Sequence, residues 1–397
     1  MSEKKGHVEE LRGASRLAVE ATKGVVDLVR AMQETVGAGP AVLGRPLEGA
    51  TKLALRPVYG SIHAVTDLVG ASIDTVLAQL APLTRPSEPG PEREAVLAAL
   101  NGVLGDYLRE TANPLAIEMQ LRKDGRPLVL QEQALRAAIP QAGGRLLVLV
   151  HGSCLSDRQW ERRGHDHGAA LARDVGASPI YLQYNTGLHI STNGRAFADL
   201  LERLVAAWPE PIDELDILAH SMGGLVSRSA CHFGEAAGHA WRRKLRTLVF
   251  LGSPHHGAPL ERGGNWIDVL LGLSPYSAPF ARLGQIRSAG VTDMRFGIVL
   301  DEDQRRGRFE PGDDPRTPLP LPAGVDCYAI AATTATATGD ALPSDGLVPV
   351  DSALGRSDRP ELTLAFPEGH RWVAFGAGHL DLLDQPEVYA KIASWMG

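Results

Sequence analysis

The sequence is poor in cysteine: its 397 residues hold Cys154, Cys231 and Cys327 and no others. An odd count leaves at least one thiol unpaired, and no Cys-x-x-Cys spacing exists to grip a zinc ion, so neither a disulfide scaffold nor a metal knuckle is expected. Three reduced thiols suit a reducing compartment. Nothing after Met1-Ser2-Glu3-Lys4-Lys5-Gly6-His7 has the apolar core of a secretory signal, since Glu9 and Glu10 follow almost at once. No uncharged apolar run reaches the roughly 18 residues that a membrane span needs. A cytoplasmic protein is therefore expected. Basic excess is lacking too. The formal net charge of -7 leaves no electrostatic footprint for nucleic acid. The basic runs Arg162-Arg163, Arg242-Arg243-Lys244 and Arg305-Arg306 are short and read as solvated surface. No internal repeat and no His-Glu-x-x-His motif is present.

What is there suffices for a large core: 44% of the residues are hydrophobic against 22% charged. The length predicts either two domains or one large domain with an appendage. The chain opens with helical periodicity. Leu11, Ala14, Ala18, Ala21, Val25, Leu28 and Met32 recur at three- and four-residue steps, with charged residues between them. A connector broken by Gly39, Pro40, Gly44 and Pro46 leads to a second stripe: Val58, Ile62, Val65, Val69, Ile73, Val76 and Leu80. Pro82, Pro86, Pro89 and Pro91 end it and mark a domain boundary. Residues 1–90 are thus expected to be an amphipathic helical region. Its stripes must be buried on each other, on the rest of the chain, or on a second copy in a homo-oligomer. Membrane-surface contact through 1–85 is disfavoured, because the second stripe carries Asp67 and Asp74 and no Lys on its polar side.

From residue 92 the pattern changes. Residues 94–108 predict a helix, and 117–121 with 127–130 a hairpin around Gly125. Buried strands are predicted at 146–150, 180–183, 248–251 and 327–331, with another ending at Ile217-Leu218. Helices are predicted at 196–207, 225–231 and 387–395, the last with Pro386 in its first turn. Strands alternating with helices imply an α/β fold with a mostly parallel central sheet and an active site at the carboxyl ends of its strands.

One motif carries chemistry. In Leu218-Ala219-His220-Ser221-Met222-Gly223-Gly224 a buried strand precedes the serine and a helix follows it. That context is a nucleophile elbow, a sharp strand-to-helix turn that exposes the serine hydroxyl. The residues two before and two after the serine must be small. Gly223 meets this outright, and Ala219 departs from the usual glycine by one methyl. Upstream, Val150-His151-Gly152-Ser153-Cys154 leaves the 146–150 strand where an oxyanion loop is expected. The backbone N–H groups of Ser153 and Met222 are the predicted donors to a developing oxyanion. A serine nucleophile needs a base, and the base needs an orienting acid, in the chain order Ser, acid, His. His379 in Gly376-Ala377-Gly378-His379-Leu380-Asp381 stands on a glycine-rich loop before the last helix and is the predicted base, with His370 its rival. Asp345 in Ser344-Asp345-Gly346-Leu347-Val348-Pro349 is the predicted acid, with Asp340 and Asp351 as rivals. The metal reading of His165 and His167 fails for want of further ligands, and both are expected at a solvent-exposed helix start. His151, Cys154, His220, His255 and His256 are candidates to line a substrate pocket.

These pieces together resemble bacterial lipases and esterases of the α/β-hydrolase superfamily. They are especially similar to the branch related to GPI inositol-deacylase-like hydrolases. The pieces are Ala-His-Ser-Met-Gly-Gly, the early His-Gly loop, Gly252-Ser253-Pro254-His255-His256-Gly257-Ala258-Pro259 and Asp-Gly-Leu-Val-Pro, together with Tyr184-Asn185-Thr186-Gly187. The resemblance spans about 115–397. It implies an α/β-hydrolase fold over 91–397, a triad of Ser221, Asp345 and His379, and no organic cofactor or metal. An insertion at about 258–323 holds Trp266 and other apolar residues and is expected to cap an acyl pocket. The implied substrate is a small-molecule or lipid ester. A thioesterase or amidase would use the same triad, and a silent hydrolase scaffold acting through its N-terminal helices is the reading from a different class.

Overall fold

The structure is a computed structural model. It describes residues 90–257, 288–304, 314–336 and 344–397. The helices expected within 1–89, together with Trp266 and Asp340, lie outside the described residues.

In chain order the elements are α1 (Pro91–Glu110), β1 (Gln120–Lys123), β2 (Arg126–Pro127), α2 (Glu132–Ala138), β3 (Arg145–Val150), α3 (His167–Val175), β4 (Ser178–Gln183), α4 (Ile190–Ala207) and β5 (Glu214–His220). They continue with α5 (Met222–Ala236), β6 (Leu245–Leu251), α6 (Ala289–Asp293), β7 (Asp326–Thr333), α7 (Val350–Ala353), β8 (Arg371–Phe375) and α8 (Pro386–Met396). The sheet runs in the order β2-β1-β4-β3-β5-β6-β7-β8. The β1–β2 hairpin lies antiparallel at one edge, and the other six strands are parallel. A parallel sheet needs helices on both faces, which is why its inner strands read as unbroken apolar runs. In β3, Leu146, Val148 and Val150 join one core with Phe197 and Leu201 of α4 and Leu225 and Val226 of α5. Leu147 and Leu149 point the other way, into a core with Leu171 of α3 and Val388 and Ile392 of α8. This is an α/β-hydrolase fold. The chain leaves β3 to one side for β4 and returns on the other side for β5, so the crevice beyond the carboxyl ends of β3 and β5 is a topological switch point.

Several boundaries differ from the sequence expectation, two of them at helices beside the site. α4 begins six residues early, at Ile190 rather than 196. Its first turn is capped from far away: Asp293 of α6 accepts from the Ile190 N–H at 2.9 Å, where a carboxylate also favours the positive helix end. α5 begins at Met222, directly at the serine, rather than at 225.

The Gly164-His165-Asp166-His167 segment is a correction. It does start a helix, with Asp166 accepting from Ala169 N–H at 2.8 Å, but only Gly164 is fully exposed, with His165 and Asp166 half-buried. His167 is wholly buried because the turn after β8 folds over it. Its Nε2–H donates to the Leu382 carbonyl at 3.0 Å, and its Nδ1 lies 2.8 Å from His165 Nε2. Burial pulls the His167 imidazole down to about 4. Unfolded, this group titrates near ~6.5 and so binds more protons than the folded state below that pH. Its contribution to stability is therefore intact above pH ~6.5 and is lost as the pH falls toward ~4, by up to about 3 kcal/mol. A His167→Gln variant is expected to lose less melting temperature between pH 7 and pH ~5 than the wild type in scanning calorimetry. Parallel pH profiles would contradict the assignment.

Candidate active site

Strand β5 lies between β3 and β6, and its end is fixed on both sides. Ala219 pairs with Val150 and with Phe250, and Ser221 N–H donates to the Leu251 carbonyl at 2.8 Å. The chain then turns straight into α5. Ser221 absorbs the turn at φ 54 and ψ -126, a conformation that L-residues adopt at a cost of about 1–3 kcal/mol. The helix can start here because Gly223 has no side chain: a Cβ there would sit 2.5 Å from the Val150 carbonyl oxygen and 2.7 Å from that of His151. Ala219 is wholly buried in the core, which accommodates its methyl.

The loop after β3 meets the elbow. A Cβ on Gly152 would lie 2.9 Å from Ser221 Cβ, so the loop backbone passes directly against the serine. The N–H groups of Ser153 and Met222, the two expected oxyanion donors, donate to no acceptor among the described residues. Met222 is the first residue of α5, so its N–H is one of the unpaired donors at a helix start.

The loops after β7 and β8 bring in the other two groups. His379 Nδ1–H donates to Asp345 Oδ2 at 2.6 Å. The two backbones are joined as well, His379 N–H donating to the Asp345 carbonyl at 3.0 Å. The second carboxylate oxygen of Asp345 accepts from Leu347 N–H at 2.9 Å and Val348 N–H at 2.7 Å. Its orientation is thus set before it meets the imidazole. Ser221, Asp345 and His379 are all buried. The rival residues are placed elsewhere. His370 stacks on Tyr328 at 4.1 Å and bonds the Cys327 carbonyl, and Asp351 pairs with Arg356 on the surface.

Several expected pocket residues turn out to be braces. His220 is buried, its Nε2–H donating to the His379 carbonyl at 3.2 Å, with the two rings 4.7 Å apart. It ties the serine's strand to the His379 loop instead of facing a substrate. Burial and the neighbouring His379 push it well below the ordinary imidazole range, so it stays neutral. His151 is likewise buried, held at about 4 by desolvation, and stacked on Tyr184 at 4.5 Å. His255 is enclosed between Phe250 and Phe366. His256 lies beside Arg316, whose guanidinium donates to its Nδ1 at 3.0 Å. Cys154, at φ 59, turns its thiol away, into a cluster with Val96, Leu100 and Val103 of α1. Burial raises that thiol to about 11, which rules it out as a nucleophile near neutral pH. Each of these residues stands next to a motif, and adjacency along a loop does not say which way a side chain points.

Sequence reasoning missed what supports the loop after β3. Helix α1 packs on it through Gly102, where a Cβ would fall 2.3 Å from Cys154 Sγ and 2.9 Å from its Cα. Cys154 N–H donates to Thr186 Oγ1 at 3.1 Å. Asn185 Nδ2 donates to the Gly105 carbonyl of α1 at 2.9 Å. The signal was present in Tyr184-Asn185-Thr186-Gly187, but its partner lies far upstream. Among the described residues no cluster of His, Cys, Asp or Glu is arranged to hold a metal ion, the three thiols are unpaired, and no helix is long and apolar enough to cross a membrane.

A family described as a domain of unknown function (DUF7379) matches residues 119–294, less than half of the chain. No curated protein matches it. Among solved structures, the mature lipase of Bacillus licheniformis is 16% identical with a TM-score of 0.41, the alignment covering 64% of this chain and 92% of that one. Lipase B of Aspergillus fumigatus is 13% identical with a TM-score of 0.40; 66% of this chain covers 56% of the fungal enzyme. The thioesterase of the prodiginine biosynthetic pathway in Streptomyces coelicolor is 17% identical with a TM-score of 0.35, covering 69% of this chain and 96% of its own.

Because Gly102 is in contact with the backbone of Cys154, Gly102→Val is expected to destabilise the fold by about 1–3 kcal/mol through overpacking. Urea denaturation would measure it, and an unchanged midpoint would contradict the packing described.

Proposed function

We propose that the chain is a serine hydrolase of carboxylic esters that works through Ser221, His379 and Asp345. The observation that carries this reading is the buried 2.6 Å bond between His379 and Asp345, on a loop that His220 ties to the strand ending at Ser221, itself held at positive φ on a strand-to-helix elbow. The reading fits the chemistry group by group. Asp345 takes the Nδ1–H, which leaves the lone pair of His379 on Nε2, the nitrogen that must accept the serine proton. Ser221 Oγ makes no hydrogen bond among the described residues, and such bonds often close only around a bound substrate.

In the proposed cycle the Ser221 oxygen attacks the ester carbonyl carbon while its proton passes to His379 Nε2. The carbonyl π electrons move onto oxygen, and that oxyanion accepts from the N–H groups of Ser153 and Met222. Donors fixed in a dry site are worth more than the same donors in water, because they need no reorganisation as charge develops. The imidazolium is stabilised by Asp345. Collapse of the intermediate breaks the bond to the leaving oxygen, which takes the proton from Nε2 and departs as alcohol. Water then gives its proton to Nε2, attacks the acyl-serine and frees the carboxylic acid with Ser221 restored. A thioester follows the same path with a thiol leaving group. Ser221, His379 and one water carry every proton in this cycle, and Asp345 with the two N–H groups stabilises the charges that develop.

A fluorophosphonate probe is expected to label the wild type at Ser221 and to leave Ser221→Ala unlabelled. Against nitrophenyl esters from acetyl to lauroyl, run beside a matched thioester, Asp345→Asn is expected to lower kcat by about 10³–10⁴-fold, because the imidazole loses its required tautomer. An unlabelled wild type, or full turnover by either variant, would remove the hydrolase reading.

A further inference from the structure

Helix α5 carries Ser221 at its start and Arg228 about two turns further on. The Arg228 side chain is 6% exposed. One amino group donates to the Leu319 carbonyl at 2.7 Å, and its Nε has no partner among the described residues. Among the described residues no carboxylate pairs with it. Burial, with the like charge of Arg316 adding to it, lowers the guanidinium to about 10; at neutral pH Arg228 remains protonated. Nearby acids are already engaged: Asp314 with Arg316 at 2.6 Å, and Glu235 with Arg242 at 3.0 Å. A buried cation without a counter-charge is costly, and a site that keeps one is set up for an anion.

Arg228 lines a cleft of about 340 Å³ between α5 and the segment before β7. Its walls are mostly apolar, from Cys231, Leu319, Leu321 and Pro322. The Cys231 thiol is raised to about 12 by burial and so is not a nucleophile here. The volume lies at the small end of ligand sites. With one amino group on Leu319 and Nε buried, the other amino group is left to make a charge-assisted bond to a carboxylate oxygen. A phosphate dianion would face one cation and the carboxylate of Glu235, which also lines the cleft, so the charge balance favours a monoanion.

We infer that this cleft is a binding site for a monocarboxylate with a short apolar chain, its carboxylate set against Arg228. The site is separate from the crevice above Ser221 and does not rest on the proposed hydrolysis. The acid that hydrolysis would release belongs to the same chemical class.

Titration calorimetry on the full chain tests it, with hexanoate, hexan-1-ol and hexyl phosphate as probes. Hexanoate is expected to bind, and hexan-1-ol to bind at least about tenfold more weakly for want of the charge-assisted bonds. Arg228→Met is expected to weaken hexanoate by a similar factor. Because that change also leaves the Leu319 carbonyl without its donor and can unfold the protein, a second variant keeps Arg228 in place. Ala236 lines the cleft and is exposed, so Ala236→Trp is expected to fill the mouth and abolish hexanoate binding with the melting temperature retained. Four outcomes would overturn the inference: no hexanoate binding to the wild type at millimolar concentration, hexanol binding equally well, hexyl phosphate binding more tightly, or hexanoate binding undiminished in Ala236→Trp. The last would place the ligand elsewhere, above Ser221 included.

Discussion

The closeness of two backbones governs this site. Helix α5 is pressed against the end of β3 so tightly that Gly223 has the Val150 and His151 carbonyls where a side chain would be. That contact leaves the chain only one residue in which to turn from β5 into the helix, and Ser221 takes up the turn at φ 54. Strain of this kind persists only where the surroundings over-determine it. Here the pairing of β5 between two buried neighbours, and the bond from Ser221 N–H to Leu251, supply the restraint. The first N–H of α5, on Met222, is left without an acceptor among the described residues.

Around that fixed point the other groups are held by backbone as much as by side chains. Asp345 is oriented by two N–H groups and meets His379 through both a side-chain and a main-chain bond. His220 joins the serine's strand to the loop that carries His379. On the opposite flank α1 clamps the loop after β3 through Gly102, Cys154 and Asn185. Low dielectric strengthens these bonds and keeps the supporting His151 and His220 neutral.

The parallel sheet was legible because β3 and the end of β6 are buried on both faces and read as apolar runs, while β5, interrupted by the buried Asp216, showed only its Ile217-Leu218 end. The elbow was legible because close strand–helix approach demands small residues at fixed spacing. Asp345 and His379 followed from chain order and from loops rich in turn residues. What escaped the sequence depends on contacts across long separations. The start of α4 is set by Asp293, about a hundred residues away. The burial of His167 is set by the turn at Leu382. The inward faces of Cys154 and His255 follow from α1 and Phe366 respectively. Local pattern has no access to any of these.

The central claim is that Ser221 and His379 act as one unit, neither useful without the other. Nitrophenyl ester turnover by Ser221→Ala, His379→Ala and the double variant measures this directly. Groups that work together are non-additive, so the double variant is expected to be about as slow as the slower single variant. If the two losses multiply instead, the residues act independently and the account is wrong.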